Sequence, residues 1–157
     1  MPAPRLRKYL SAPGLLSRVR QAFDKIADHR QRTCHYALSD VLMSALAMFG
    51  LKYPSLLKFD EGRNEKLVRH NLKTLYGVAQ APCDTQMREI LDAVPAARLR
   101  GAFHAVHQQL RRDKVLAAYQ FLDGRYVLSL DGTGQFASDT VSCPECCVKH
   151  RQGGESY

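Results

Sequence analysis

The apolar residues of this chain recur at helical spacing as far as about residue 119, and then the pattern changes. That switch constrains the fold more than any other feature. Leu15, Leu16, Val19, Phe23, Ile26 and Ala27 lie three and four apart, so the spacing predicts an amphipathic helix over about 15–29. Ser39 is a good N-cap, and VLMSALAMF runs from it to Gly50. That segment is apolar all round, as a central buried helix would be. A short helix is expected from Ser55 to Phe59, after Pro54. Asn64 can cap the next one, with Leu67, Val68, Leu72 and Leu75 as its inner stripe and Gly77 as its stop. Asp84 follows Pro82 and can cap a helix carrying Met87, Ile90 and Leu91. Pro95 ends that helix and suits the first turn of another, striped by Leu99, Phe103, Val106 and Leu110 and continuing to Tyr119.

Beyond that point Asp123-Gly124 is a strong tight-turn pair. Tyr126 to Leu130 form a β-type run ending at Asp131, followed by Gly132-Thr133-Gly134 and a polar stretch rich in Ser, Cys, Gly and Lys. Gly153-Gly154 reads as a hairpin turn, and GGESY as a turn with a strand just beginning. The expected fold class is mainly α, with the start of a β-containing unit at the C-terminal end.

The size, 157 residues and 17.7 kDa, suits one ordinary domain. No apolar run approaches the ~18 residues that read as a membrane span, so no membrane partner is expected. The basic N-terminus is broken by Pro4 and Pro13 and lacks the apolar stretch of a signal peptide. With no export signal, the five cysteines read as cytosolic thiols or metal ligands rather than a disulfide framework.

A net charge of +8 favours a polyanionic partner, nucleic acid first and a membrane surface second. The first 32 residues hold eight basic side chains against two acids, which accounts for six of those charges. Residues 1–13 read as a flexible basic arm carrying Arg5, Arg7 and Lys8, followed by Arg18 and Arg20 on the first helix. A second cluster contains Arg98, Arg100, Arg111, Arg112 and Lys114. Such groups would hold double-stranded DNA by its phosphates, with salt-sensitive affinity and no sequence reading. Solvated helix faces are the bland alternative for each cluster. Ser39 to Phe59 has a helix-turn-helix outline, but its second helix is short and poor in base-reading side chains, so no recognition helix is assigned to it.

Asp131 ends an apolar strand and is followed by small residues, a common way to present a carboxylate to a divalent cation. The competing reading is a plain turn closing a strand. Cys143-Pro144-Glu145-Cys146 is one Cys-x-x-Cys knuckle, with Cys147 and His150 close behind. These four side chains could hold Zn²⁺, although adjacent Cys146 and Cys147 would tend to point apart; ordinary loop thiols are the other reading. His104 and His107 share a helix face without a nearby acid, which suits a solvated basic face. Cys34, His35 and Cys83 have no partners at ligand spacing. No phosphate-binding Gly-rich loop ending in Lys-Ser or Lys-Thr and no Gly-x-Ser-x-Gly elbow is present.

LSLDGTGQFASDTVSCPECCVKHRQGGESY resembles the start of the catalytic domain of bacterial insertion-sequence transposases of the DDE type. YALSDVLMSALAMFG, SLLKFDEGRN and APCDTQMREILDAVP are similar to the helical N-terminal region of the same transposases. The most specific pieces are the DGTG after a strand, the CPxC a short distance on, and the Pro-Cys-Asp-Thr entry to the helix at 84. The resemblance implies an RNase H-like fold for 121–157, preceded by a helical domain over 14–120. It makes Asp131 the first catalytic acid and an Mg²⁺ ligand. It also implies DNA transposition with strand cleavage and transfer, element-end DNA as partner, self-association, and a cytoplasmic, nucleoid-associated location. The family's second Asp and its Glu have no match, because only Asp139, Glu145 and Glu155 follow Asp131. The expectation is therefore a truncated, inactive fragment of a transposase. A second reading is a non-enzymatic, basic, helical DNA-binding protein with a small zinc knuckle. A third is a helical interaction module with incidental charge.

Overall fold

A computed structural model describes residues 8–30, 34–121, 123–128, 149–151 and 154–156. These residues are mainly helical, and they separate into two units between Tyr119 and Gln120.

In the first unit a short 3₁₀ turn, Lys8–Leu10, leads into helix α1, Ala12–Phe23. The Ser11 hydroxyl accepts the Gly14 N–H at 3.3 Å and so caps α1. Pro13 fits within the first turn, where no N–H is needed, so the helix starts earlier than the apolar stripe predicts. It also stops earlier. The Lys25 and Ile26 N–H groups turn back to the Ala22 and Phe23 carbonyls, closing the helix with a tighter turn. Ile26 still packs against the core from that turn.

Helix α2, Leu38–Gly50, begins one residue before the expected cap, on an extended Ala37. It forms the centre of the unit, packing on α1 and on helix α5, Asp84–Asp92. Val41, Met43, Ser44 and Ala47 are fully buried, and the Ser44 hydroxyl donates to the Asp40 carbonyl at 2.7 Å. The burial is not all round, since Phe49 is 70% exposed. Helix α3, Leu56–Gly62, is capped by the Ser55 hydroxyl, which accepts the Lys58 N–H. Phe59 fills the core with Tyr53 edge-on, 5.4 Å between ring centres.

Helix α4, Lys66–Leu75, follows after only Arg63–Glu65, and its cap is Glu65 rather than Asn64. Val68 and Leu72 are its buried residues; Leu67, expected on the inner stripe, is 70% exposed. Gly77 ends the helix with φ +68, and the Val78 N–H returns to the Leu72 carbonyl at 2.9 Å. Cys83 caps α5, and its thiol donates to the Gln86 side-chain carbonyl at 3.5 Å. Met87 of α5 is fully buried.

Pro95 opens a 3₁₀ turn, Ala96–Leu99, that feeds helix α6, Arg100–Arg112. The buried residues of α6 are Ala102 and Gln109; of the expected stripe, Leu99 packs against the core and Val106 and Leu110 are half-buried, but Phe103 is 76% exposed. Helix α6 packs on α1 and turns its Ala102 face, not its Phe103 face, to the core. The expected extension to Tyr119 is interrupted at Lys114, whose φ of +55 breaks the helix before a 3₁₀ turn at Val115–Tyr119. Among the described residues no helix is long and apolar enough to cross a membrane.

Among the described residues of the second unit there are two small antiparallel strand pairs. Strand β1, Gln120–Phe121, pairs with β2, Arg125–Tyr126, across the left-handed Asp123 (φ +55) and Gly124 (φ +81). The expected run beyond Tyr126 is shorter than predicted in the described part. Val127 and Leu128 are outside any strand and 74% and 84% exposed, while Ser129, Leu130 and Asp131 lie outside the described residues. Strand β3, Lys149–Arg151, pairs with β4, Gly154–Ser156, and this hairpin places His150 opposite Glu155.

Candidate nucleic-acid interface

Four arginine and lysine side chains of the first unit are already held by carboxylates. The Arg20 guanidinium donates to Asp40 at 2.5 Å and to the Tyr76 carbonyl at 3.3 Å, joining α1 to α2 and to the end of α4. Arg63 donates to Asp60 at 2.5 Å and to the Ala81 carbonyl at 2.6 Å. Arg30 donates to Asp28 through two nitrogens, at 2.8 and 2.6 Å, and to the Tyr36 carbonyl. The charge-assisted bonds from Arg30 hold the Asp28 carboxyl down at about 2. Lys58 pairs with Glu61 on the surface.

Four of the remaining cations come together in space. Packing of α1 on α6 creates an open groove, of about 700 Å³, with Arg18 and Lys25 on one side and Arg98, His104 and Arg112 on the other. Ala22, Gly101 and Ala105 give it low walls, and no carboxylate is among its lining residues. Arg18 lies over the Tyr9 ring, 6.0 Å from its centre, which steadies the guanidinium while leaving its donors available. Among the described residues the Arg98 side chain donates only to the Ala27 carbonyl, at 3.2 Å. The Lys25 and Arg112 side chains make no hydrogen bond or ion pair among the described residues. His104 and Arg112 are about 12 Å apart along the helix axis, roughly three to four base-pair steps of duplex DNA. A groove of this charge, length and openness can accept successive phosphates of one strand.

Of the residues proposed from sequence, the structure brings Arg18, Arg98 and Arg112 into one groove. Arg20 is internal to the fold through Asp40, and Arg111 is exposed outside the groove lining. Lys8 starts the first 3₁₀ turn; Arg5 and Arg7 lie outside the described residues, as do Asp131, Cys143, Cys146 and Cys147. His150 is in β3. Among the described residues no group of three or more His, Cys, Asp or Glu is placed to hold a metal ion.

Sequence reasoning places Arg98 in the second basic cluster but does not single out Lys25, and both line the groove. It also omits Lys66, Arg69, His70 and Lys73, which line a second open depression on α4. Their Lys-x-x-Arg-His-x-x-Lys spacing is a helical face visible in the sequence, overshadowed there by the apolar stripe of the same helix.

No family model, curated protein or solved structure matches the chain.

Proposed function

We propose that this chain binds duplex DNA through the α1–α6 groove, as the helical DNA-holding unit of a protein of the DDE-transposase type. The observation that carries the DNA reading is the convergence of Arg18, Lys25, Arg98 and Arg112 on a groove lined by no carboxylate. Cations are kept unpaired there while neighbouring arginines are neutralised by Asp28, Asp40 and Asp60. The transposase reading rests on the DGTG and CPxC segments, and it would give 121–157 an RNase H-like fold with Asp131 as the first catalytic acid and Mg²⁺ as its metal.

Strand transfer at phosphorus uses two metal ions to clamp the attacking and leaving oxygens, and one carboxylate cannot hold both. The resemblance gives no match for the further acids, since only Asp139, Glu145 and Glu155 follow Asp131. Asp139 and Glu145 are near neighbours in sequence, and Glu155 stands in the β3–β4 hairpin. The 157 residues by themselves therefore bind DNA without cutting or joining it. The same groove would serve a non-enzymatic DNA-binding protein with Zn²⁺ at Cys143 and Cys146. Zinc analysis together with a strand-transfer assay separates the two.

The test of the DNA reading is neutralisation of the groove in the full chain, by Arg18→Gln, Lys25→Gln and Arg112→Gln together. Three lost phosphate contacts should flatten the slope of log affinity against log salt by up to about 2.7. An unchanged slope in the folded variant removes the groove from the interface.

A further inference from the structure

The groove leaves a second set of unpaired cations unexplained. Helix α4 carries Lys66, Arg69 and Lys73, with no acid anywhere between Lys66 and Leu75. At 100° per residue these three and His70 fall within an arc of about 100°, centred roughly 130° from the buried Val68 and Leu72. All four are exposed, and none of their side chains has a hydrogen bond or ion pair among the described residues. Leu67 stands beside them at 70% exposure, and no carboxylate lines the depression they share. Yet Lys58 and Arg63, on the preceding helix and turn, are both paired with acids. Lys66, Arg69 and Lys73 thus stand together, unpaired, on one helix face.

We propose that α4 is a second duplex-DNA contact that lies in the major groove, with Lys66, Arg69, His70 and Lys73 directed at its edges and Leu67 offering an apolar contact. The inference builds on the DNA reading of the α1–α6 groove but uses different residues. Three observations select this ligand. The face is cationic and unneutralised, so its partner is a polyanion. A helix with side chains is about 10–12 Å across, which the major groove of B-DNA, about 12 Å wide, admits. The deep, narrow major groove of duplex RNA does not admit such side chains. The connection from α3 to α4 is only Arg63–Glu65, the short turn by which one helix can present the next to a groove. Arg63, bonded to both Asp60 and the Ala81 carbonyl, fixes that turn to the body of the unit. Arg and Lys can read guanine edges, and the Leu67 side chain can meet a thymine methyl. This face would therefore add sequence preference, which phosphate contacts in the other groove do not supply.

The experiment uses the full chain and a short duplex in two forms. One form has ordinary cytosine. The other has glucosylated 5-hydroxymethylcytosine, whose sugar projects from the base C5 into the major groove and leaves the phosphates unchanged. Two variants are compared with the parent: Lys66→Gln/Arg69→Gln/Lys73→Gln on α4, and the triple groove variant described above. Glutamine is a good helix former and the α4 positions are exposed, so far-UV circular dichroism should match the parent. The α4 variant should bind ordinary duplex about tenfold more weakly or worse. The parent should fall to that same level on glucosylated duplex, where the α4 variant should show no further loss. If the α4 variant binds ordinary duplex as tightly as the parent while the groove variant is weakened, the α4 contact is wrong and the α1–α6 reading stands. If the groove variant binds normally and the α4 variant is weakened, the reverse holds. If glucosylation leaves parental binding unchanged, α4 is not in the major groove.

Discussion

Arg18 and Arg20 are two residues apart on one helix, carry the same charge, and should respond oppositely to the same substitution. Arg20 donates to Asp40 and to the Tyr76 carbonyl, with side chains 29% and 28% exposed for the pair. An exposed pair contributes about 0.2–1 kcal/mol, whereas breaking a buried one costs about 3–5 kcal/mol. This half-buried pair lies between, and the bond to Tyr76 adds about 0.5–1.5 kcal/mol. Arg20→Gln should therefore destabilise the protein by about 2 kcal/mol. For a unit of this size that lowers Tm by about 8 °C. Arg18 contacts the Tyr9 ring and solvent, so Arg18→Gln should change stability by no more than about 0.5 kcal/mol. In DNA binding the order reverses. Arg18→Gln should flatten the salt slope by about 0.9, while Arg20→Gln, assayed well below its own Tm, should leave the slope unchanged. Thermal melts and fluorescence anisotropy on a duplex read both effects. A flattened slope with an unchanged Tm in Arg20→Gln would refute the division of the cations into structural and DNA-facing sets.

Other outcomes follow from the same geometry. Phe59→Ala empties a fully buried site between α3 and its neighbours and should cost about 3–5 kcal/mol in denaturant unfolding. Gly77→Ala forces an L side chain to φ +68, directly beneath the Arg20 guanidinium, and should cost about 1–2 kcal/mol by the same measurement. Asp28 has a folded pKa lowered to about 2, so its bonds to Arg30 stabilise the protein above the ordinary Asp range, near 4, and are lost as pH falls toward 2. Asp28→Asn should weaken the pH dependence of stability in that acid window alone. The full chain should neither cleave nor join linear DNA with Mg²⁺ or Mn²⁺; turnover that disappears in Asp131→Asn would overturn this.

The helices were legible because their signals are local. Ser55, Pro95 and Gly77 act where their side chains or backbone freedom predict, and the spacing of Val68, Leu72 and Met87 marks the buried faces. What failed was the choice among competing apolar residues. Phe103 is exposed while Ala102 is buried, because α6 turns its Ala102 face to the core, a choice between adjacent apolar residues that spacing alone does not make. Helix limits missed where backbone set them, as at Lys114 with its positive φ, which no residue type announces. The candidate interface was only half legible. Charge counting found two basic clusters, but only the fold places Arg18 and Lys25 across from Arg98 and Arg112, more than 70 residues away in sequence. Pairing was invisible as well. Arg20 sits inside a basic run and is bonded to an acid 20 positions on. Asp131 and the Cys143–Cys147 segment stand on sequence alone, outside the described residues.

The most direct test of the central claim is the affinity of the full chain for duplex DNA across a range of monovalent salt. Arg18, Lys25, Arg98 and Arg112 together should give a slope of log affinity against log salt near −3.6, steeper by up to about 2.7 if α4 also contacts phosphates. Neutralising Arg18, Lys25 and Arg112 should remove most of the groove's share. A slope near zero, or no measurable binding at low salt, would contradict the claim that these unpaired cations form a DNA interface.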